Sequence, residues 1–188
     1  MRLFTAIDLP SAALLRLERL LTALRPEALI KWTPLDNLHV TIKFIGQWPE
    51  SRLEELYRAL DLLVLRSAFR VELSRLGWFP DERSPRILWA GIDGGEPLLQ
   101  LARDTEEQLE KIGISKENRQ FSPHLTLARI NHSVPLTRLK QRVKELQPAS
   151  LGDFPVSHFD LYRSDPGSNF SIYSNIRRFN FVRAVAAP

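Results

Sequence analysis

Residues 37–42, Asn-Leu-His-Val-Thr-Ile, and residues 122–127, Ser-Pro-His-Leu-Thr-Leu, carry the same short pattern. In both segments apolar and polar residues alternate, as they do in a half-buried strand. Because residues i and i+2 of a strand point to the same side, each segment presents an imidazole beside a hydroxyl. The repetition predicts two related lobes, each of which contributes one strand to a shared cleft.

Strand-like and helix-like segments alternate along the rest of the chain. The spacing of Leu residues predicts four helices. The first has Ser11 as its N-cap and ends before Pro26, and the second begins at Pro49. The other two cover residues 97–112 and 136–146. The expected strands are residues 3–9, 30–33, 38–45, 69–76, 86–92, 121–130, 154–162 and 170–182. No Gly/Ser-rich linker divides the chain, so we expect residues 1–188 to form a single α+β domain of two packed lobes.

Composition narrows the classes of function. The chain has no cysteine, which excludes disulfides, thiolate nucleophiles and cysteine-based zinc sites. A net charge of +4 favours a polyanionic partner, although the basic residues are dispersed and form no Lys/Arg block. The short apolar run at the N-terminus does not resemble a signal peptide, and no stretch reaches the ~18 apolar residues of a membrane span. We therefore expect a soluble, cytoplasmic protein with no membrane partner.

The repeated motif supports chemistry on a phosphate. Thr41 and Thr126 can donate hydrogen bonds to the non-bridging oxygens, while His39 and His124 lie on opposite sides of the phosphorus. One neutral imidazole can take a proton from an attacking water, and one imidazolium can protonate the leaving oxygen. We expect no metal and no other cofactor, because the sequence has no His-Glu-x-x-His, no acidic cluster beside either histidine and no Gly-rich phosphate loop.

Longer segments around both motifs resemble a known family. Residues 32–46, Trp-Thr-Pro-Leu-Asp-Asn-Leu-His-Val-Thr-Ile-Lys-Phe-Ile-Gly, and residues 121–129, Phe-Ser-Pro-His-Leu-Thr-Leu-Ala-Arg, are similar to the two signatures of the two-histidine (2H) phosphoesterases. Residues 4–10 and 86–91 resemble the LigT-like branch, the RNA 2′,3′-cyclic phosphodiesterases historically called 2′-5′ RNA ligases. The similarity covers nearly the whole chain but fades over residues 166–176, which are expected to shape the choice of substrate.

The resemblance implies a bilobal, pseudo-symmetric fold with two antiparallel sheets facing a central cleft and helices outside. It implies an enzyme that hydrolyses RNA or nucleoside 2′,3′-cyclic phosphate to a 2′-phosphomonoester without a metal; some members also join tRNA halves by a reversible 2′-5′ linkage. The catalytic pair would be His39 and His124, and the phosphate-binding hydroxyls Thr41 and Thr126. Either histidine can serve as the base. Our expectation is that His124 activates water and His39 protonates the 3′-oxygen.

Two cationic side chains next to the motifs are further candidates for phosphate binding. Arg129 follows the second motif in the order typical of the family, but strand alternation places it on the side opposite the motif residues, so only a bulge or a strand end would bring it into the cleft. Lys43 shares the side of the first motif, where it would either line the cleft and bind phosphate or be a solvated strand lysine, the interpretation that we favour. His132 and His158 lack a threonine partner and are interpreted as structural or surface histidines.

Aromatic side chains are candidates for stacking on a base of single-stranded RNA. Trp32, before a turn, and Trp78 with Phe79, in an expected loop, are the better placed. Phe44 and Trp89 fit apolar strand patterns that are typical of core packing, and Phe44 is kept as a second stacking candidate.

Two alternative functions are also compatible with the sequence. One is a nucleotide- or RNA-binding module with the same cleft and no turnover, which product formation would exclude. The other is a phosphodiesterase for 2′-5′ oligoadenylate or an ADP-ribose cyclic phosphate, which comparison of kcat/KM between substrates would identify. For the leading hypothesis the expected partners are RNA ends or nucleotides with a 2′,3′-cyclic phosphate, and the expected state is a monomer.

Overall fold

Two antiparallel sheets and four helices make up the computed structural model, which describes residues 1–131, 133–147 and 150–182. The strands in this part of the chain are β1 (Arg2–Asp8), β2 (Lys31–Trp32), β3 (His39–Gln47), β4 (Phe69–Phe79), β5 (Ile87–Asp93), β6 (His124–Arg129), β7 (Gly152–Val156), β8 (His158–Asp165) and β9 (Ile172–Asn180). The helices are α1 (Ser11–Leu24), α2 (Leu53–Asp61), α3 (Gly95–Glu110) and α4 (Thr137–Glu145).

Each sheet contains one of the two histidine motifs. The first sheet has the strand order β3-β1-β8-β9, and the second has the order β2-β6-β5-β4-β7. His39 is the first residue of β3 and His124 is the first residue of β6. Because β3 and β6 contact each other, the two motifs lie where the sheets meet. The predicted α+β class with two antiparallel sheets is confirmed.

The apolar faces of both sheets pack into one connected core with all four helices. Val40 and Leu125, which alternate with the motif residues, are fully buried. Helix α3 contacts β3 and β4, one strand from each sheet, whereas α1 contacts β7 and α4. Fully burying a leucine contributes about 1.5–3 kcal/mol, so this shared core keeps the two motif strands in place.

In the described part of the chain, no helix is both long and apolar enough to cross a bilayer.

Three local predictions differ from the structure. The strand expected at 154–162 is two strands, β7 and β8, which belong to different sheets, because the chain passes from one sheet to the other at Ser157. Trp78 and Phe79 end strand β4 and do not lie in a loop. Ser11 is the first residue of α1; Pro10 occupies the N-cap position and makes no capping hydrogen bond with a side chain.

Candidate active site

Both histidines have the same local setting at the start of their strands. The ring of His39 interacts with the backbone of Asn37, and Nδ1 of His124 lies 2.7 Å from the carbonyl oxygen of Ser122. In each motif the partner is the residue two positions earlier. A ring nitrogen that faces a carbonyl donates its proton to it, which leaves the other nitrogen free to exchange a proton. On His124 that free nitrogen is Nε2.

The two rings lie close enough together to influence each other. Burial is the main cause that lowers the pKa of both histidines; the guanidinium of Arg129 lowers both further, and a positive charge on His124 lowers the pKa of His39. Both side chains are partly exposed, whereas the apolar residues between each histidine and its threonine are fully buried behind them. The structure therefore places both imidazoles and one guanidinium within electrostatic range of one another, where the two sheets meet.

Aromatic rings surround both histidines. The ring of Phe4 lies 4.8 Å from that of His39, and the ring of Tyr173 meets it edge-on at 5.2 Å. Phe79 meets His124 edge-on at 5.0 Å. Burial in these surroundings lowers the pKa of His39 from 6.5 to about 4 and lowers the pKa of His124 as well, because it disfavours the charged ring. In the free enzyme both imidazoles are therefore neutral at neutral pH.

Strand β3 contains a bulge directly after its threonine. Thr41 pairs with Ala6 of β1, but Lys43 pairs with the next residue back, Thr5, so Ile42 is an extra residue. A bulge interrupts the alternation of side chains and turns the residues that follow to the other face. Lys43 is therefore on the face of Thr5, which is fully buried.

Because of the bulge, Phe44 and not Lys43 lies on the cleft face of β3. The side chain of Lys43 is 2% exposed, and its Nζ donates to Glu106 Oε2 at 2.8 Å and to the carbonyl of Ser115 at 2.8 Å. It does not line the cleft, contrary to the prediction from alternation. Phe44 takes this place: it pairs with Phe4 and is 54% exposed, with the two ring centroids 6.0 Å apart. Phe44 stays a candidate for base stacking, now on an exposed face beside Phe4.

Strand β6 has the matching bulge. Thr126 pairs with Trp89 of β5, while Ala128 pairs with the residue just before Trp89, so Leu127 is the extra residue. Ala128 is fully buried, and Arg129 returns to the face of Thr126, where it is exposed. The bulge that Arg129 needs to reach the cleft is present. Arg129 and Phe44 occupy equivalent positions in the two motifs.

Each of the two tryptophans next to the motifs lies on the face of the sheet opposite to the one predicted. Trp32 pairs with the fully buried Ala128, and its Nε1 donates to the carbonyl of Ala28 at 3.2 Å, so it packs on the core side and does not line the cleft. Trp89, interpreted as a core residue, lies on the cleft face beside the second motif. Its ring covers Gly77, where an added Cβ would overlap it. A glycine in a strand marks such a close approach and is the signal for Trp89 in the sequence.

A model of the 2′-5′ RNA ligase superfamily matches residues 11–168, which include both motifs. This chain belongs to that superfamily. The resemblance inferred from the motifs is therefore confirmed. The RNA 2′,3′-cyclic phosphodiesterase of Methanocaldococcus jannaschii is 31% identical over 179 residues, which cover 95% of this chain and 100% of the relative.

Solved structures extend the match to nearly the whole fold of this 2′-5′ RNA ligase superfamily member. A protein of Thermus thermophilus has a TM-score of 0.83 and 30% identity, and the match covers 96% of this chain and 98% of the other. E. coli LigT, crystallised with 3′-AMP, has a TM-score of 0.78 and 26% identity, and the match covers 97% of this chain and 98% of LigT. Both sheets and the helices around them are therefore arranged as in these solved structures.

In this superfamily member a hydrogen-bonded pair lies beside the first motif, and the sequence alone carried no signal for it. Asp8 pairs with His39 across strands β1 and β3. The hydroxyl of Tyr162 donates to the carboxylate of Asp8, with 2.7 Å to each oxygen, and its ring stacks on Phe4 at 5.4 Å. Burial and the neighbouring carboxylate raise the pKa of Tyr162, so its phenol stays protonated as a donor.

The hydroxyls of Thr41 and Thr126 form no hydrogen bond in the ranges described, so both can donate to a ligand. Among the same residues, no group of three or more His, Asp or Glu side chains is placed to hold a metal ion.

Two further histidines lie outside the motifs in the sequence. His158 Nε2 lies 3.6 Å from the buried carboxylate of Asp160, in keeping with a structural histidine, and His132 lies outside the described residues.

Proposed function

We propose that this enzyme hydrolyses a 2′,3′-cyclic phosphate, at an RNA end or on a nucleoside, to a 2′-phosphomonoester without a metal ion. The observation that carries the proposal is the convergence of His39 and His124, one from each sheet, close enough for the charge on one to lower the pKa of the other. Relatives named RNA 2′,3′-cyclic phosphodiesterase support this substrate.

The reaction can be written with the chain's own residues. Water attacks the phosphorus while His124 takes its proton, and His39 donates a proton to the 3′-oxygen as the bond between phosphorus and this oxygen breaks. The products are a 2′-phosphomonoester and a free 3′-hydroxyl; proton exchange with solvent resets both rings. Thr41, Thr126 and Arg129 stabilise the charge that develops on the non-bridging oxygens.

The substrate itself makes one histidine an acid. In the free enzyme, burial and the positive charge of Arg129 keep both rings neutral. A bound phosphate brings a negative charge next to both rings, which favours the imidazolium and raises its pKa. The acid is therefore charged when substrate is present. A 5′-hydroxyl of a second RNA in place of water would give a 2′-5′ linkage by the same steps, and we include this reversible ligation in the proposal.

The direct test is turnover without metal. We expect RNA that ends in a 2′,3′-cyclic phosphate to be hydrolysed at an unchanged rate in excess EDTA, with a 2′-phosphate as the only product by ³¹P NMR. Binding without any product over a day would identify a binding module. A much larger kcat/KM for 2′-5′ oligoadenylate or an ADP-ribose cyclic phosphate would contradict the proposed substrate.

The pH dependence follows from the direction of both pKa shifts. The profile of kcat/KM reports the free enzyme, in which the pKa of His39 is about 4 and that of His124 is lowered from 6.5. The active form carries one proton on the pair of rings, and raising the pH above the higher of the two pKa values removes that proton. We therefore expect kcat/KM to be largest below pH 6.5 and to fall above it.

The profile of kcat provides the control, because it reports the complex with substrate. Since the bound phosphate raises the pKa of both rings, we expect the optimum of kcat at a higher pH than the optimum of kcat/KM. Initial rates with a nucleoside 2′,3′-cyclic phosphate in constant-ionic-strength buffers measure both. A kcat/KM that keeps rising into the alkaline range would contradict the two-imidazole mechanism.

A further inference from the structure

Two cations lie directly opposite each other at the end of the cleft. Lys31 of β2 pairs with Arg129 of β6, so both side chains are on the same face, with Cβ atoms about 4.5–5.5 Å apart. Both are exposed, and in the described ranges neither forms an ion pair with a carboxylate. Like charges directly opposite on neighbouring strands destabilise a sheet, and a bound anion relieves this repulsion.

A loop from the other sheet holds Lys31 in place. The Lys31 ammonium lies over the ring of Phe170, 4.8 Å from its centroid, in the connection between β8 and β9. The same connection is tied to the first motif, because Asn37 Nδ2 donates to the carbonyl of Ser171 at 2.9 Å. Its turn closes only with a glycine at Gly167, where a Cβ would overlap the carbonyl oxygen of Phe170. The contact therefore orders a lysine that would otherwise sample many rotamers.

We propose that Lys31, held by Phe170, binds the phosphodiester immediately 5′ of the nucleotide that carries the cyclic phosphate. The inference rests on the proposed function: with Arg129 on the reacting phosphate, Lys31 is one strand, about 4.8 Å, further along the sheet and reaches the next phosphate of the chain. Two cations in a row match two successive phosphates. The substrate class is thus an RNA end of at least two nucleotides, in preference to a mononucleotide.

Three substrates test the binding of the second phosphate separately from the binding of the reacting phosphate. They are adenosine 2′,3′-cyclic phosphate, the diadenosine dinucleotide that ends in a 2′,3′-cyclic phosphate, and the same dinucleotide with a neutral methylphosphonate linkage. The unmodified enzyme is expected to show a kcat/KM about 5- to 10-fold higher for the charged dinucleotide than for either of the others. This comparison needs no variant.

The variant Lys31→Gln is expected to remove that preference. It lowers kcat/KM for the charged dinucleotide about 5- to 10-fold and leaves the mononucleotide unchanged. The slope of log(kcat/KM) against log[salt] for the dinucleotide decreases in magnitude by about 0.7, the contribution of one phosphate contact on a single strand. The matched control is Lys111→Gln, an exposed lysine that pairs with Gln108 at the end of α3, and it leaves all three substrates unchanged.

Two outcomes would overturn the inference. One is an equal loss of kcat/KM for mononucleotide and dinucleotide in Lys31→Gln; the other is an unmodified enzyme that does not distinguish the charged from the neutral linkage. Failure of the proposed function looks different, because none of the three substrates would then be hydrolysed. In that case calorimetric affinities for a dinucleotide that ends in a 2′-phosphate, with either linkage, decide whether Lys31 binds the second phosphate.

Discussion

The variants His39→Ala and His124→Ala are each expected to lower kcat for a nucleoside 2′,3′-cyclic phosphate by about 10²- to 10⁴-fold. Each ring performs one of two proton transfers that occur in the same step, so the loss of either stops the concerted reaction. The double variant should be little worse than the single ones, because residues that act as a unit are not additive. Steady-state rates in EDTA measure all three.

The control variant is His158→Ala, since this histidine has no threonine partner and lies near Asp160. It should retain full activity. A substrate with sulfur in place of the 3′-oxygen separates the two roles, because a thiolate leaves without protonation: it should rescue His39→Ala but not His124→Ala. Rescue of His124→Ala instead would reverse the assignment of acid and base. Full activity in both single variants would falsify the site.

Local patterns in the sequence were sufficient to predict the fold class and the two motif strands. In residues 37–42 and 122–127 the apolar side chains recur at the period of a strand, and this signal does not depend on distant residues. The segment at 154–162 was misjudged because its two strands, β7 and β8, follow each other almost without a gap. Which sheet a strand joins depends on its neighbours in space, which periodicity does not reveal.

The side chains after each threonine were predicted less well, for one physical reason. Strict alternation places Lys43 in the cleft and Arg129 outside it, but Ile42 and Leu127 are extra residues that reverse both assignments. A bulge is defined by the register of the neighbouring strand, so it is a long-range property. An apolar residue such as Ile42 looks the same in a regular strand and in a bulge.

The tryptophans show the same dependence on pairing. Trp32 precedes a turn, which predicts an exposed ring, yet its partner on β6 is the buried Ala128. Trp89 lies in an apolar run and fitted the core, yet its partner is the cleft residue Thr126. The prediction from residue type and neighbouring sequence placed both tryptophans on the wrong face. The register of β6 determines which face each tryptophan occupies.

The buried ion pair behind the first motif should be a main source of stability. We expect Lys43→Met to lower the free energy of unfolding by about 3 kcal/mol in a site where Lys43 is 2% exposed. The substitution leaves the Ser115 carbonyl without its side-chain donor and leaves the Glu106 carboxylate without a counter-charge, with only the N–H of Glu117 as a donor. For a chain of this size the melting temperature should fall by about 6–12 °C. Urea unfolding should show a lower midpoint with an unchanged m value.

A second substitution tests whether the loss comes from the unpaired carboxylate. Methionine fills the space of the lysine stem, so adding Glu106→Gln to Lys43→Met removes the uncompensated charge and should restore most of the lost stability. The matched surface variant is Arg142→Met, which breaks an exposed pair with Glu145 and should leave the melting temperature unchanged. If the double variant is as unstable as Lys43→Met, the pair does not stabilise the fold through its charges; the lost hydrogen bond to the Ser115 carbonyl would then account for the instability.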